Sequence, residues 1–249
     1  MATLRAHNST EYWKKTDLMV KPASYPIAVG YDVPSVDTIR RPLTLDLSEV
    51  SHEDRVYWAV RRAQDILLSS LALVALSPLL LITYAAIWID SPGARPIFTQ
   101  QRVGRNGKLF KMYKFRTMYV QTEEEEQKGW TKKNDPRVTG VGKFLRKTSL
   151  DEFPQLFNVL KGDMSLVGPR PERPFFVEKF REEIPRYMVK HQVRPGLTGW
   201  AQVNGYRGDT SIKKRIEYDL YYIENWTMGL DFKILFLTFF KGFVNKNAY

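Results

Sequence analysis

The chain has 249 residues, enough for one large domain or two small ones, and 43% of them are hydrophobic, enough to bury a core. Lys and Arg number 38 against 27 Asp and Glu, a net charge of +11 that points to anionic partners: phosphorylated ligands, acidic lipids or nucleic acid. Cysteine is absent, which excludes disulfides and thiolate metal sites and suits a reducing compartment.

Residues 1–54 are polar and interrupted by Pro22, Pro26, Pro34 and Pro42, so an irregular arm is expected, with a short strand at most over Thr44 to Val50. From His52 to Gln64 the pattern turns helical and runs into residues 66–89, a stretch without a charge. Because its apolar run starts so late, the N-terminus does not read as a signal peptide. Roughly 20 apolar residues cross a bilayer as a straight helix. Here Ser77-Pro78 sits at the midpoint, and proline removes a donor and clashes with the preceding turn. Each half is then about 18 Å long, too short to cross alone. Cations flank both ends: Arg55, Arg61 and Arg62 before, Arg95, Arg102 and Arg105 after. Since such charge favours the cytoplasmic side, a helix–break–helix that enters one leaflet and returns is expected. A kinked spanning helix is the alternative, because proline is tolerated in such helices.

Ser91-Pro92-Gly93 ends the segment with turn chemistry, and Asn106-Gly107 between two alternating stretches predicts a hairpin with a two-residue turn. Thr122 to Glu125 suggests a capping box opening a short acidic helix, its glutamates read as a solvated face. Asn134-Asp135-Pro136 is a turn, and Val138 to Phe144 a strand or short helix. Phe153, Leu156, Phe157 and Leu160 fall on one helical face, closed by Lys161-Gly162. Further helices are expected over Phe175 to Tyr187 and Ser211 to Ile223. Residues 230–244 should form an interfacial or core-packing helix.

Hydrolase and nucleotide signatures are missing: no Walker A loop, HExxH, GxSxG or DxD. His7, His52 and His191 are scattered, so no histidine relay is expected. Chemistry concentrates in residues 146–174. There Asp151 and Glu152 open a helix, where Ser149-x-x-Glu152 fits a capping box. Against that plain role stand the neighbours Arg146, Lys147, Asp163, Arg170 and Arg173, and the stiff Pro169-Arg170-Pro171, which would aim a guanidinium at phosphate. A carboxylate beside cations stays ionised and can attack phosphorus, and one or two carboxylates with phosphate suit Mg²⁺. Of the basic positions Lys108, Lys111, Lys114 and Arg116, the last two are expected to turn inward.

The Ser77-Pro78 helix, KFRTM at 114–118, the block from Arg146 to Pro171 and RPGLTGWAQVNG at 194–205 together resemble the bacterial monotopic phosphoglycosyl transferases, the bacterial sugar transferase family. YDLYYIENW at 218–226 resembles members that make exopolysaccharide and capsule. The resemblance implies a mixed, helix-rich α/β catalytic domain over residues 56–249, with a re-entrant anchor at 58–93 and a cytoplasmic part at 94–249. It implies transfer of a hexose-1-phosphate from a UDP-sugar to undecaprenyl phosphate, with release of UMP, at the cytoplasmic face of the bacterial inner membrane.

In the family the Asp of the pair is a covalent nucleophile and Mg²⁺ is required. Carried over, Asp151 would attack and Glu152 would be its acid/base or metal-binding companion. Lys114, Arg116, Arg146, Asp163, Pro169, Arg170, Pro171 and Arg207 would form the substrate site, with Arg207 made uncertain by the inserted Tyr206. Partners implied are the UDP-sugar, undecaprenyl phosphate and membrane lipid, with a homodimer left open and no nucleic acid. The departure is N-terminal: many relatives carry membrane helices where this chain has a polar arm. A basic membrane adaptor without activity and a glycosyltransferase releasing UDP are the competing readings.

Overall fold

The computed structural model describes residues 55–120, 135–208 and 210–242. The arm, its Thr44–Val50 strand, the acidic helix at 122–125 and Asn134 lie outside them. The first element is α1 (Arg55–Asp90), 36 residues long, or roughly 54 Å of helix. The expected break at Ser77-Pro78 does not end it, and helix runs on through Pro78. The reason is local. Proline cannot donate to the carbonyl four residues earlier, and the Ser77 hydroxyl donates to that same Val74 oxygen at 2.8 Å. It is, among the described residues, one helix long and apolar enough to cross a membrane.

The two ends of α1 pack on the same protein body. Arg61, Asp65 and Ser69 are buried near its start, and Thr83, Ile87 and Ser91 near its end. Between them Val74, Leu81 and Ile82 are largely exposed. Leu68, Ala72 and Leu73 lie against the main core, whereas Ile87 joins a separate cluster with Phe115 and Leu145.

β1 (Ile97–Val103) and β2 (Leu109–Phe115) pair antiparallel from Ile97↔Phe115 to Val103↔Leu109, as the sequence predicts. The reversal occupies residues 104–108 rather than two residues, although Asn106 and Gly107 both take the expected positive φ (55° and 74°). Val138 bridges to Met118, and α2 (Gly140–Thr148) follows, its Thr139 cap accepting from the Gly142 nitrogen at 2.9 Å. A 3₁₀ turn at Leu150–Glu152 leads into α3 (Gln155–Lys161).

The predicted face of α3 needs correction. Leu156 is buried, but Phe157 is exposed, and the buried positions are Gln155, Leu156, Asn158 and Val159. Asn158 explains the rotation: its side chain accepts from the Tyr113 nitrogen (3.0 Å) and donates to the Lys111 oxygen (2.7 Å), tying α3 to β2.

A second sheet, too short to read from sequence, pairs β3 (Ser165–Val167) parallel with β4 (Gly196–Thr198). Beyond β3 the chain passes so close that a Cβ on Gly196 would stand 2.1 Å from the Gly168 nitrogen. Helices α4 (Pro174–Glu183), α5 (Trp200–Val203), α6 (Ile212–Glu224) and α7 (Met228–Gly242) complete the described fold. α7 packs Ile234, with Leu230, Leu235 and Leu237, on the main core, as one of the two expected readings has it, and exposes Phe232, Phe236, Phe239 and Phe240 along its other face. Among the described residues the architecture is mixed and helix-rich, with two small sheets instead of one.

Candidate active site

Five segments converge on Asp151 and Glu152: the end of β2, the end of α2, the 3₁₀ turn, the loop after β3 and the loop after α5. The backbone puts the pair there through Ser149, which is left-handed (φ 58°) and ends α2. Ser149 is therefore no N-cap, and the expected capping box with Glu152 does not form. Its hydroxyl instead accepts from Arg207 Nη1 at 3.2 Å.

Glu152 is the hub. Its Oε1 lies 2.7 Å from Arg170 Nη2 and 2.9 Å from Lys114 Nζ, and its Oε2 lies 3.0 Å from Arg207 Nη2. Burial alone would raise this carboxyl's pKa, but Arg170, Arg207 and Lys114 outweigh it and hold the group well below the ordinary glutamate value. The exchange is mutual: burial weakens the charge on Arg170, and Glu152 more than restores it. Lys114 is pushed down by burial, with Glu152 opposing.

Asp151 is different. Its carboxylate makes no side-chain hydrogen bond among the described residues, and Lys114 Nζ stands 4.0 Å away. Burial, with the charge of Glu152 beside it, raises its pKa, while Lys114, Arg207 and Arg146 pull the other way. One carboxylate is saturated by close cations and its neighbour has only the distant Lys114, so of the two Asp151 has the oxygens available to a substrate. Two carboxylates against Lys114, Arg146, Arg170 and Arg207 leave a surplus of positive charge for a polyanion.

Of the positions expected from sequence, Lys114, Arg146, Arg170 and Arg207 belong to this cluster. Arg146 is held by Thr117, Nε to Oγ1 at 2.9 Å. Arg207 reaches Glu152 despite the inserted Tyr206. Pro169 and Pro171 anchor the loop through their carbonyls, which accept from the Gly196 nitrogen (2.9 Å) and from Arg102 Nη1 (3.2 Å).

Two of the expected positions lie apart from the cluster. Arg116 turns away, donating to the Arg95 oxygen at 2.9 Å and lying over Phe98; it stands one residue past the end of β2, where strand alternation no longer holds it beside Lys114. Asp163 sits at the far end of α3 beside Asn158. Missed from sequence were Ser149, Thr117, and the Arg102–Glu172–Arg215 group under the loop, where Arg215 Nη1 meets Glu172 at 3.0 Å. Serine and threonine carry no such signal by themselves. Arg102 read only as flanking charge.

The donor set bears on Mg²⁺. Glu152 does not fit as a ligand, since cations occupy both its oxygens and would repel a dication. Asp151 fits, because Mg²⁺ is commonly held by a single carboxylate completed by substrate phosphates and water. No group of three acidic or histidine side chains gathers among the described residues.

The family described as "Bacterial sugar transferase" matches residues 56–245. A UDP-glucose:undecaprenyl-phosphate glucose-1-phosphate transferase of Klebsiella pneumoniae is 53% identical over 193 residues, covering 76% of this chain and 41% of that protein. Its Escherichia coli K12 namesake is 51% identical over 194 residues, with the same shares of 76% and 41%. A UDP-N-acetylgalactosamine-undecaprenyl-phosphate N-acetylgalactosaminephosphotransferase of Aeromonas hydrophila is 48% identical over 185 residues, 74% of this chain and 43% of that protein. The chain thus spans about two-fifths of the length of these relatives. It belongs to the bacterial sugar transferase family.

Proposed function

We propose that the chain transfers a sugar-1-phosphate from a UDP-sugar to undecaprenyl phosphate, releasing UMP, with Asp151 as covalent nucleophile. The observation that carries this reading is the free carboxylate of Asp151 beside a Glu152 saturated by cations. In the first step an Asp151 oxygen bonds to the sugar-proximal phosphorus. The bond from that phosphorus to the bridging oxygen breaks, and UMP leaves with the electron pair. In the second, an oxygen of undecaprenyl phosphate attacks the same phosphorus and the Asp151 carboxylate departs. Anions repel in both steps, and the fixed cations of Lys114, Arg146, Arg170 and Arg207 reduce that repulsion where charge develops.

Glu152 acts by holding three of those cations in place, so the substrate meets a preorganised site. Bound Mg²⁺, held by Asp151 and the substrate phosphates, would neutralise further charge there, and chelation should abolish turnover. Activity persisting in chelator would remove the metal from the scheme.

The membrane reading is a re-entrant anchor on the cytoplasmic face. It is supported by α1 packing both its ends on one body while its middle stays bare, and by the exposed phenylalanines of α7. Such an anchor places Asp151 near the plane of the lipid phosphate. The sugar is open: the relatives are named for glucose and for N-acetylgalactosamine. Screening UDP-sugars for the released nucleotide tests the reaction class. UMP supports it, whereas UDP would mean cleavage of the sugar–oxygen bond by an ordinary glycosyltransferase, and no release would favour a binding module.

A further inference from the structure

A second convergence of cations lies at the opposite, N-terminal ends of β3 and β4 from Arg170. Arg61, Arg105 and Arg194 line a recess with Trp58, Ser165 and Trp226, about 260 Å³ counted out to its open mouth.

Arg61 is 6% exposed and rigidly held. Its Nη2 donates to the Val167 oxygen (2.7 Å) and the Tyr222 hydroxyl (2.9 Å), and its guanidinium stacks 3.9 Å from the Trp226 ring centre. Nε lies 3.5 Å from Asp231. Nη1, however, is buried and has no hydrogen-bond partner among the described residues. Leaving a charged donor unmet in a desolvated place is costly, so such an atom signals a missing acceptor.

The local charge asks for the same thing. Two carboxylates are present and both are satisfied: Asp65 by Ser165 Oγ (3.1 Å) and the Leu166 nitrogen (2.9 Å), Asp231 by the Tyr222 hydroxyl (2.7 Å). Against them stand Arg61, Arg62, Arg105 and Arg194, of which Arg62 is spent on the carbonyls of Val159 and Leu160. Burial, and then the like charges of Arg105, Arg62 and Arg61, push Arg194 below the ordinary arginine value. An anion at the mouth relieves that repulsion.

We propose that this recess binds a phosphate group, one oxygen entering to accept from Arg61 Nη1 while Arg105 and Arg194 hold the others. Fixed guanidinium geometry selects a tetrahedral oxyanion over chloride. Two sources share this chemistry. Arg61 precedes Ile66, the start of the apolar run, by little more than one helical turn, within reach of a lipid headgroup phosphate. The mouth also opens to soluble phosphate. The lipid source rests on the membrane reading above, but the anion site does not.

The test uses the full chain in neutral detergent, carrying Arg170→Gln so that anion binding at the candidate active site is weakened. Inorganic phosphate should raise its Tm beyond chloride of equal ionic strength. Adding Arg105→Gln and Arg194→Gln should weaken that response about tenfold or more, the loss expected for charge-assisted bonds, without lowering the Tm measured in chloride. Should the double substitution fail to fold, Arg105→Gln alone, at an exposed position, should show a smaller loss in the same direction. A phosphate response unchanged by these substitutions, or absent from the parent, overturns the site.

Flotation with phosphatidylcholine vesicles, with and without phosphatidylglycerol, identifies the source. Loss of the phosphatidylglycerol-dependent part in the Arg105→Gln/Arg194→Gln chain marks a lipid headgroup. Unchanged flotation beside lost phosphate binding marks soluble phosphate. With Arg170 intact, that double variant should still release nucleotide from a UDP-sugar, so failure of this site and of the transferase reading are separable.

Discussion

The two adjacent carboxylates have opposite relations to stability. Glu152 is 7% exposed and paired with three cations, and breaking a buried pair by removing one partner is strongly destabilising. Glu152→Gln should therefore lower stability by about 3 kcal/mol at neutral pH. Its folded pKa lies below the unfolded value, so this contribution is present above the unfolded value and disappears as pH falls through the folded one. Asp151 runs the other way: its folded pKa is raised, so the ionised form costs stability above that pKa. Asp151→Asn should leave Tm at neutral pH unchanged or higher, with any gain vanishing as the pH falls below that raised value. Thermal melts of both variants across the acid range check the pair, and parallel losses would contradict the assignment of one structural and one reactive carboxylate.

At the scale of elements, the side chain that orients α3, the helix following Asp151, is polar. Asn158 is fully buried and bonds to the β2 backbone on both sides of its amide. Asn158→Ala leaves the Tyr113 nitrogen and Lys111 oxygen without these partners, at a cost of about 1–3 kcal/mol per orphaned group. Chemical denaturation should show that loss with an unchanged slope, and a neutral substitution would mean that α3 is held by its apolar contacts alone.

This element also marks where sequence reading stopped. Periodicity located the helix and the hairpin, because both signals are local, but it assigned Phe157 to the core, since an apolar count cannot see a buried asparagine. The same limit applies to Ser149, where a capping motif and a left-handed helix end share the same residues. β3 and β4 pair over three residues each and carry no periodicity to detect. The cations around Glu152 were legible because rigid prolines and clustered arginines are a chemical signal. The inward turn expected of Arg116 fails because β2 ends at Phe115, and the alternation that would keep Arg116 on the side of Lys114 stops there.

For the whole molecule, the decisive geometry is that α1 returns both ends to one body. If the segment is re-entrant, cysteines introduced at Ala63 and Arg95, both exposed and in a chain that has no other cysteine, lie on the same side. A membrane-impermeant thiol reagent should label both from the cytoplasmic side of inverted vesicles. Labelling from opposite sides would make α1 a spanning helix despite Ser77 and Pro78.

In the proposed reaction a soluble nucleotide-sugar and a membrane-held phosphate meet at Asp151. The most direct test loads purified enzyme with a UDP-sugar labelled in the sugar-proximal phosphate, without undecaprenyl phosphate. A burst of about one UMP per active site, with label retained on Asp151 and lost in Asp151→Asn, is the expected result of covalent catalysis. UMP release that requires both substrates together, with no label held by the wild-type protein, would contradict it.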